Sequence, residues 1–192
     1  MRKTMRKFIA SCMVIMIPLS VAGQANATVS REAGAVQYAH VPTGDQINET
    51  IDRYSYISPE GLELTDVEQA KEDQVDAFVI EVMSVYNEML VEEYRVEKGL
   101  GTPRQSIANR WGWCGKYRTN GGNPHNSADR ICMNHDHCLN RARNSGAKIG
   151  CDNAFISGMR SVAGRYSGAD RAYIEAAIRV ISAARLCRPV GC

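Results

Sequence analysis

The chain has 192 residues, enough for one domain with an extension and too few for a large multidomain enzyme or a TIM barrel. Hydrophobic residues make up 44% and charged residues 23% of the chain, which is typical of a globular protein and excludes a disordered one. The formal net charge of +2 indicates no class of partner, so the distribution of charge along the chain is the more informative quantity.

The N-terminus has the pattern of a secretory signal peptide. Basic side chains within residues 1–7 precede an apolar stretch over 8–23, and the small residues Ala25 and Ala27 suit a cleavage site. The apolar stretch is short for a membrane anchor and is interrupted by a proline. We therefore predict a signal peptide over 1–27 and a secreted, extracellular mature protein.

The mature chain divides into two halves of opposite charge. Residues 28–100 contain 16 acidic and 5 basic side chains, whereas residues 101–192 contain 5 acidic and 14 basic ones. Glycines and a proline at 99–103 predict a linker between them. We therefore expect an acidic N-terminal extension over 28–101 and a second domain over 102–192.

Within the extension, residues 28–50 show no sustained periodicity. Residues 59–61 read Pro-Glu-Gly and predict a turn between two short extended pieces. Apolar residues at helical spacing then predict one long helix over 66–98, which begins with a capping box formed by Thr65 and Glu68. The apolar stripe of this helix is expected to pack against the rest of the protein.

The second half is predicted to be helical as well. A loop is expected over 111–126 because this segment is rich in Gly, Asn and Pro. Helices are expected over 128–143 and 152–165, and a third should begin at Ser167 and end near residue 186. The predicted fold class is all-α.

Six cysteines follow the signal peptide, and all of them lie in the second half. An exported domain with six cysteines predicts three disulfides, for which 15 pairings exist. One pairing gives every nearby polar residue a role, and it consists of Cys114–Cys132, Cys138–Cys151 and Cys187–Cys192.

In this pairing the first disulfide would create an oxygen-rich site. A bond from Cys132 to Cys114 would pull the loop 113–115 over Asp136, which lies 40° from Cys132 on an ideal helix. Loop carbonyls together with a carboxylate form a site suited to Ca²⁺.

The second disulfide would create a polar pair. A bond from Cys138 to Cys151 would bring the following helix beside His135. Asp152 could then accept a hydrogen bond from the imidazole and fix its tautomer. The competing interpretation of Asp152 is a helix-capping carboxylate.

Two other ligand classes fit these residues less well. A zinc site built from Cys132, His135, His137 and Cys138 would be crowded, and an oxidising compartment favours disulfides. The basic second half lacks the interleaved aromatic residues of a nucleic-acid surface, so we expect no nucleic-acid partner.

At these positions the sequence resembles secreted phospholipase A2. The resemblance rests on Cys114-Gly115, on Asp-x-x-Cys-x-x-His-Asp-x-Cys from Asp129 to Cys138, and on Cys151-Asp152. It covers about residues 110–166 and leaves 28–105 unmatched. The resemblance implies a core of two antiparallel, disulfide-linked helices with a calcium-binding loop, preceded here by an N-terminal helical extension.

The resemblance also implies a calcium-dependent hydrolase. Ca²⁺ would be held by Asp136 and by the backbone carbonyls of Trp113, Gly115 and Tyr117, and it would polarise the sn-2 ester carbonyl of a glycerophospholipid. The Gly115 N–H would stabilise the developing oxyanion.

In the same scheme, His135 would remove a proton from the attacking water and Asp152 would orient His135. The products would be a fatty acid and a lysophospholipid, and the substrate would be presented by a membrane surface or a micelle.

Two positions depart from the family pattern. Tyr117 stands where well-known members have a second glycine, and Leu139 stands where many have a tyrosine that hydrogen-bonds the carboxylate at Asp152. Tyr166 or Tyr173 could replace that tyrosine. These departures keep an alternative open, a non-catalytic secreted phospholipase-like lipid- or receptor-binding protein or toxin.

The charge asymmetry predicts a further role for the extension. A basic catalytic half would be attracted to anionic lipid. The acidic residues 28–101 could cover that face and inhibit the enzyme intramolecularly. Trp111 and Trp113 could belong to the core or could insert into the membrane interface.

Overall fold

The fold was obtained as a computed structural model, which describes residues 30–32, 35–38, 40–100, 111–115 and 122–189. The predicted signal peptide and Tyr117 therefore lie outside the described residues, as do Cys192 and the boundary at 101/102. The helices are α1 (Gly44–Tyr54), α2 (Val67–Glu72), α3 (Ala77–Glu97), α4 (Ser127–Arg141), α5 (Ser145–Ala163) and α6 (Gly168–Cys187). The strands are β1 (Ser30–Glu32), β2 (Ala35–Gln37), β3 (Ser55–Ile57) and β4 (Glu63–Thr65).

The expectation of a small helical fold is confirmed, with two short antiparallel strand pairs in addition. Strand β1 pairs with β2, and β3 pairs with β4 across the turn predicted at 59–61. Gly61 has φ = 84° in that turn, a conformation that favours glycine.

The prediction of one long helix over 66–98 is wrong. Helix α2 ends at Glu72 and α3 begins at Ala77, with Gln74 at φ = 57° between them. Asp76 starts α3 because its carboxylate accepts a hydrogen bond from the Phe78 N–H at 2.8 Å. This local cap interrupts the apolar periodicity that suggested a continuous helix.

The predicted capping box at Thr65 and Glu68 is also wrong. Asp66 caps α2 and accepts from the Gln69 N–H at 2.9 Å, whereas Thr65 belongs to β4 and its N–H donates to Asn87. Helix α1 was missed within the aperiodic stretch 28–50, although Thr43 and Gln46 form a capping box at its start.

One helix start and one helix cap in the second half also differ from expectation. Helix α5 begins at Ser145, where Asn144 accepts a hydrogen bond from the Ala147 N–H at 2.8 Å. Asp152 consequently lies within the helix, and its interpretation as a capping carboxylate is wrong. Ser167 precedes α6 as predicted, but its side chain makes no capping hydrogen bond.

The two halves of the chain share one hydrophobic core. Helix α3 packs along α6, α4 packs along α5, and α5 packs on α6. Phe78, Val82 and Met83 of α3 are fully buried in the same cluster as Met159 of α5 and Ile174 of α6. The predicted stripe of α3 therefore packs against the rest of the protein, as expected.

Candidate active site

Two disulfides hold the site together, and both were predicted. Cys114–Cys132 joins the loop at 111–115 to α4, with Cα atoms 5.1 Å apart. Cys138–Cys151 joins α4 to α5, with Cα atoms 5.7 Å apart. Cys187 is disulfide-bonded too, and its predicted partner Cys192 lies outside the described residues.

The loop is held against α4 by one buried carboxylate. Asp129 accepts backbone hydrogen bonds from Trp113 at 2.6 Å, from His125 at 2.8 Å and from Gly112 at 3.3 Å. Burial by itself would raise the pKa of Asp129, but these hydrogen bonds outweigh it and hold that pKa below its usual value. Asp129 therefore supports the loop.

The loop backbone favours glycine at two positions. A Cβ atom on Gly112 would lie 3.0 Å from the His125 ring and 3.4 Å from Asp129 Oδ2. Gly115 has φ = 121°, which side-chain-bearing residues rarely adopt. These two glycines allow the chain to pass close to α4 and then turn toward the cavity described below.

His135 and Asp152 form a buried pair between α4 and α5. His135 Nε2 lies 2.8 Å from Asp152 Oδ1, and the two residues are 7% and 0% exposed. Phe155, one turn along α5 from Asp152, packs on the imidazole with ring centroids 4.8 Å apart. Since an ionised carboxylate only accepts hydrogen bonds, Nε2 carries the proton and Nδ1 is the nitrogen able to take one.

The environment of His135 favours the neutral imidazole. Burial lowers the pKa of His135, Asp152 opposes that effect, and the positive charge of Arg188 adds to the lowering. A neutral imidazole in contact with a carboxylate can act as a general base.

Arg188 is the residue of this site that sequence reasoning missed. It follows α6, and its guanidinium contacts both oxygens of Asp152, with Nη2 2.9 Å from Oδ1 and Nε on Oδ2. Among the 14 basic residues of the second half, no local pattern distinguishes Arg188. The prediction that Tyr166 contacts Asp152 is wrong, because its hydroxyl binds Ser127 and the Ala128 N–H.

Among the described hydrogen bonds, none joins Tyr173 to Asp152. Its ring packs edge-on against Trp111, with centroids 5.2 Å apart, and the described hydrogen-bond partners of Asp152 are His135 and Arg188. Leu139 lines the cavity instead of contacting the carboxylate.

Asp136 lies beside His135 on α4 and has the properties of a cation ligand. Its side chain is half-buried, and burial raises its pKa to about 6. Within the described ranges, no hydrogen bond or ion pair to another residue compensates its charge. Trp113 and Gly115 of the loop line the same cavity as Asp136, and carboxylate and carbonyl oxygens are the donors that a hard cation such as Ca²⁺ prefers.

The zinc interpretation of α4 is wrong. Cys132 and Cys138 are in disulfides and cannot act as thiolate ligands. No group of three or more His, Cys, Asp and Glu side chains that could hold a metal occurs in the described part of the chain. His137 is exposed and rests on the Trp113 ring, with centroids 5.3 Å apart.

Of the two candidate membrane-inserting residues, Trp113 belongs to the core. It is buried, and its indole N–H donates to the Gly122 carbonyl at 2.9 Å. Trp111 is half-buried against Tyr166 and Tyr173.

A cavity of about 660 Å³ connects these groups. The residues that line it include His135, Asp136, Gly115 and Arg188. Its apolar wall consists of Met89, Leu139, Phe155, Val180, Ile181 and Ala184, and α3 adds the acidic residues Glu92, Glu93 and Glu97. The volume and apolar lining suit a ligand with a hydrocarbon portion.

The comparisons with known proteins add no identification. No protein-family model matches the chain, and no curated protein or solved structure matches it either. None of the helices in the described ranges combines the length and apolar character needed to cross a membrane.

Proposed function

We propose that this chain is a secreted, calcium-dependent phospholipase A2 that hydrolyses the sn-2 ester of glycerophospholipids to a fatty acid and a lysophospholipid. One observation carries the proposal: His135, which is paired with the buried Asp152, lines the same cavity as Asp136 and Gly115. Ester hydrolysis by water can use four kinds of group: a base, a carboxylate that stabilises the protonated base, a cation ligand and a backbone N–H.

The residues act in a defined order. Nδ1 of His135 takes a proton from a water molecule, which attacks the ester carbonyl. Asp152 stabilises the resulting imidazolium through its hydrogen bond to Nε2. The proton then passes from His135 to the glycerol oxygen as the ester bond breaks, so that both products leave without a covalent intermediate.

The cation site would complete the chemistry. Asp136 would hold Ca²⁺ together with the carbonyls of Trp113, Gly115 and Tyr117. When bound, Ca²⁺ would supply Lewis-acid polarisation of the ester carbonyl. The Gly115 N–H would donate to the oxygen on which negative charge develops.

The core around this site supports the same proposal. Helices α4 and α5 are joined by the short turn at 142–144 and by Cys138–Cys151, and the Cys114–Cys132 bond attaches the loop. The sequence resemblance implies such a pair of disulfide-linked helices with an attached loop, so this arrangement supports the proposal. The predicted signal peptide and the disulfides support secretion.

The extension would contribute a wall of the same cavity. Met89 and the acidic residues of α3 lie on the lining, so the intramolecular inhibition expected from residues 28–101 would act through α3. The substrate partner would be a phospholipid membrane surface or micelle.

The test is release of fatty acid from vesicles of sn-2-labelled phosphatidylcholine, with Ca²⁺ or with a chelator. The variants are His135→Gln and, as a matched control, His40→Gln, which changes an exposed histidine. We expect release only with Ca²⁺, a fall of at least about 10³-fold in His135→Gln, and wild-type rates in the control.

A folded, disulfide-bonded protein that binds the vesicles without releasing fatty acid would contradict the proposal. That result would favour the non-catalytic lipid- or receptor-binding alternative. Calcium-independent release would contradict the assigned role of Asp136.

A further inference from the structure

The Asp152 carboxylate has two partners, one on each side. His135 Nε2 approaches Oδ1 at 2.8 Å, and Arg188 contacts Oδ1 through Nη2 at 2.9 Å and Oδ2 through Nε. Two parallel N–H···O bonds from one guanidinium define the plane of a carboxylate as well as its charge. Asp152 is thus fixed in orientation by a residue 36 positions away in sequence.

Because Asp152 is buried, its contact with Arg188 affects both its charge and its orientation. Asp152 is fully buried and the Arg188 side chain is 21% exposed. A buried carboxylate is costly unless its charge is compensated and its oxygens are hydrogen-bonded. A carboxylate hydrogen-bonded only by His135 would be free to rotate about its terminal bond, and its Oδ1 would then leave the line of Nε2.

We propose that Arg188 is a positioning residue, which fixes the Asp152 carboxylate so that His135 is held with Nδ1 toward the cavity. This inference rests on the proposed function for its effect on turnover. Arg188 would thereby take the role that the resemblance gives to a tyrosine at the position of Leu139, a role for which the sequence suggested Tyr166 or Tyr173 as replacements.

The geometry predicts an order among substitutions. Lysine at position 188 keeps a positive charge but can contact only one carboxylate oxygen at a time. Glutamine loses both the charge and the two parallel N–H donors of the guanidinium. In metal sites, loss of a residue that orients a functional side chain by a hydrogen bond typically costs 10- to 100-fold in activity, and we take the same range here. We expect kcat to fall about 10- to 100-fold in Arg188→Gln, with an intermediate loss in Arg188→Lys and KM within about twofold of wild type in both.

The chain supplies a matched control at Arg185. This residue also lies near the end of α6 and also reaches α5, where Nη1 contacts Asn153 Oδ1 at 2.8 Å. It does not line the cavity. Arg185→Gln therefore removes a link between the same helices, one residue from Asp152, and should leave kcat unchanged.

The second readout is the imidazole N–H proton of His135 in NMR spectra of histidine-labelled protein, assigned through His135→Gln. We expect a deshielded, slowly exchanging resonance in wild type and in Arg185→Gln. It should shift and exchange faster in Arg188→Gln and change less in Arg188→Lys. If Arg188→Gln does not fold, the lysine variant provides both readouts.

The outcomes separate the two proposals. An active wild type with an equally active Arg188→Gln, or an equal loss in Arg185→Gln, would overturn the positioning role. An inactive wild type whose His135 resonance still depends on Arg188 would overturn the proposed function and leave the positioning role standing.

Discussion

At the scale of single residues, Asp129 shows how one carboxylate organises a loop. Its two oxygens accept three backbone hydrogen bonds, from Gly112, Trp113 and His125. Each of these N–H groups is in a segment without regular secondary structure and would otherwise lack a partner. The position of the predicted calcium-binding carbonyls therefore depends on a residue that does not line the cavity.

We expect Asp129→Asn to loosen this loop. The substitution replaces an acceptor by an amide N–H₂ facing backbone donors, so the free energy of unfolding should fall by about 2–4 kcal/mol. Calcium affinity should fall with it. Chemical denaturation and calcium titration measure the two effects.

The control for this experiment is Arg130→Gln, which changes an exposed neighbour on the same helix. It should alter neither quantity by more than about 0.5 kcal/mol. An Asp129→Asn protein with wild-type stability and calcium affinity would contradict the supporting role of Asp129.

At the scale of elements, α3 is both a core helix and a wall of the cavity. Its first half buries Phe78, Val82 and Met83, and its second half carries Met89 and the acidic residues of the lining. The ring of Phe78 also meets Tyr38 edge-on, with centroids 5.0 Å apart. The extension thus helps to form the site through the same helix that anchors it.

We expect Phe78→Ala to destabilise the protein by about 3–5 kcal/mol, because it removes a fully buried ring and leaves a cavity. Ser84→Ala, at an exposed position of the same helix, should change stability by less than about 0.5 kcal/mol. Equilibrium denaturation followed by circular dichroism measures both values. A loss below about 1 kcal/mol in Phe78→Ala would show that α3 is not packed as described.

At the scale of the whole molecule, the two halves are one packed unit despite their opposite charges. Arg179 of α6 illustrates the connection, since it contacts Asp52 of α1 at 2.5 Å and Glu63 of β4 at 3.2 Å. The charge asymmetry seen along the sequence is thus partly compensated within the molecule. Removal of residues 28–101 would expose a large part of the core, so inhibition by this segment is better tested in the intact chain.

We expect a single cooperative unfolding transition, because both halves share one core. Both tryptophans, Trp111 and Trp113, lie in the second half, so fluorescence reports on that half and circular dichroism on all helices. The two midpoints should coincide in wild type and should shift equally in Phe78→Ala. Separate midpoints, or a tryptophan transition unaffected by Phe78→Ala, would show that the halves unfold independently.

Much of the site could be predicted because its signals are local. His135 and Asp136 are adjacent on one helix, and cysteine spacing led to the two pairings that the structure contains. Helix ends were less predictable, since a capping residue such as Asp76 interrupts an apolar period that otherwise continues from α2 into α3. The predicted start of α5 is seven residues late because the capping role of Asn144 was not recognised from the sequence.

The sequence by itself determined the helical class, the two disulfide pairs that the structure describes and the residues proposed for the chemistry. Only the tertiary structure decided that α3 lines the cavity and that Arg188 orients Asp152. The physical reason is the distance along the sequence over which each signal acts. Caps, periodicity and cysteine spacing act within a few residues, whereas the partner of a buried carboxylate is whichever cation the packing of distant helices brings within reach.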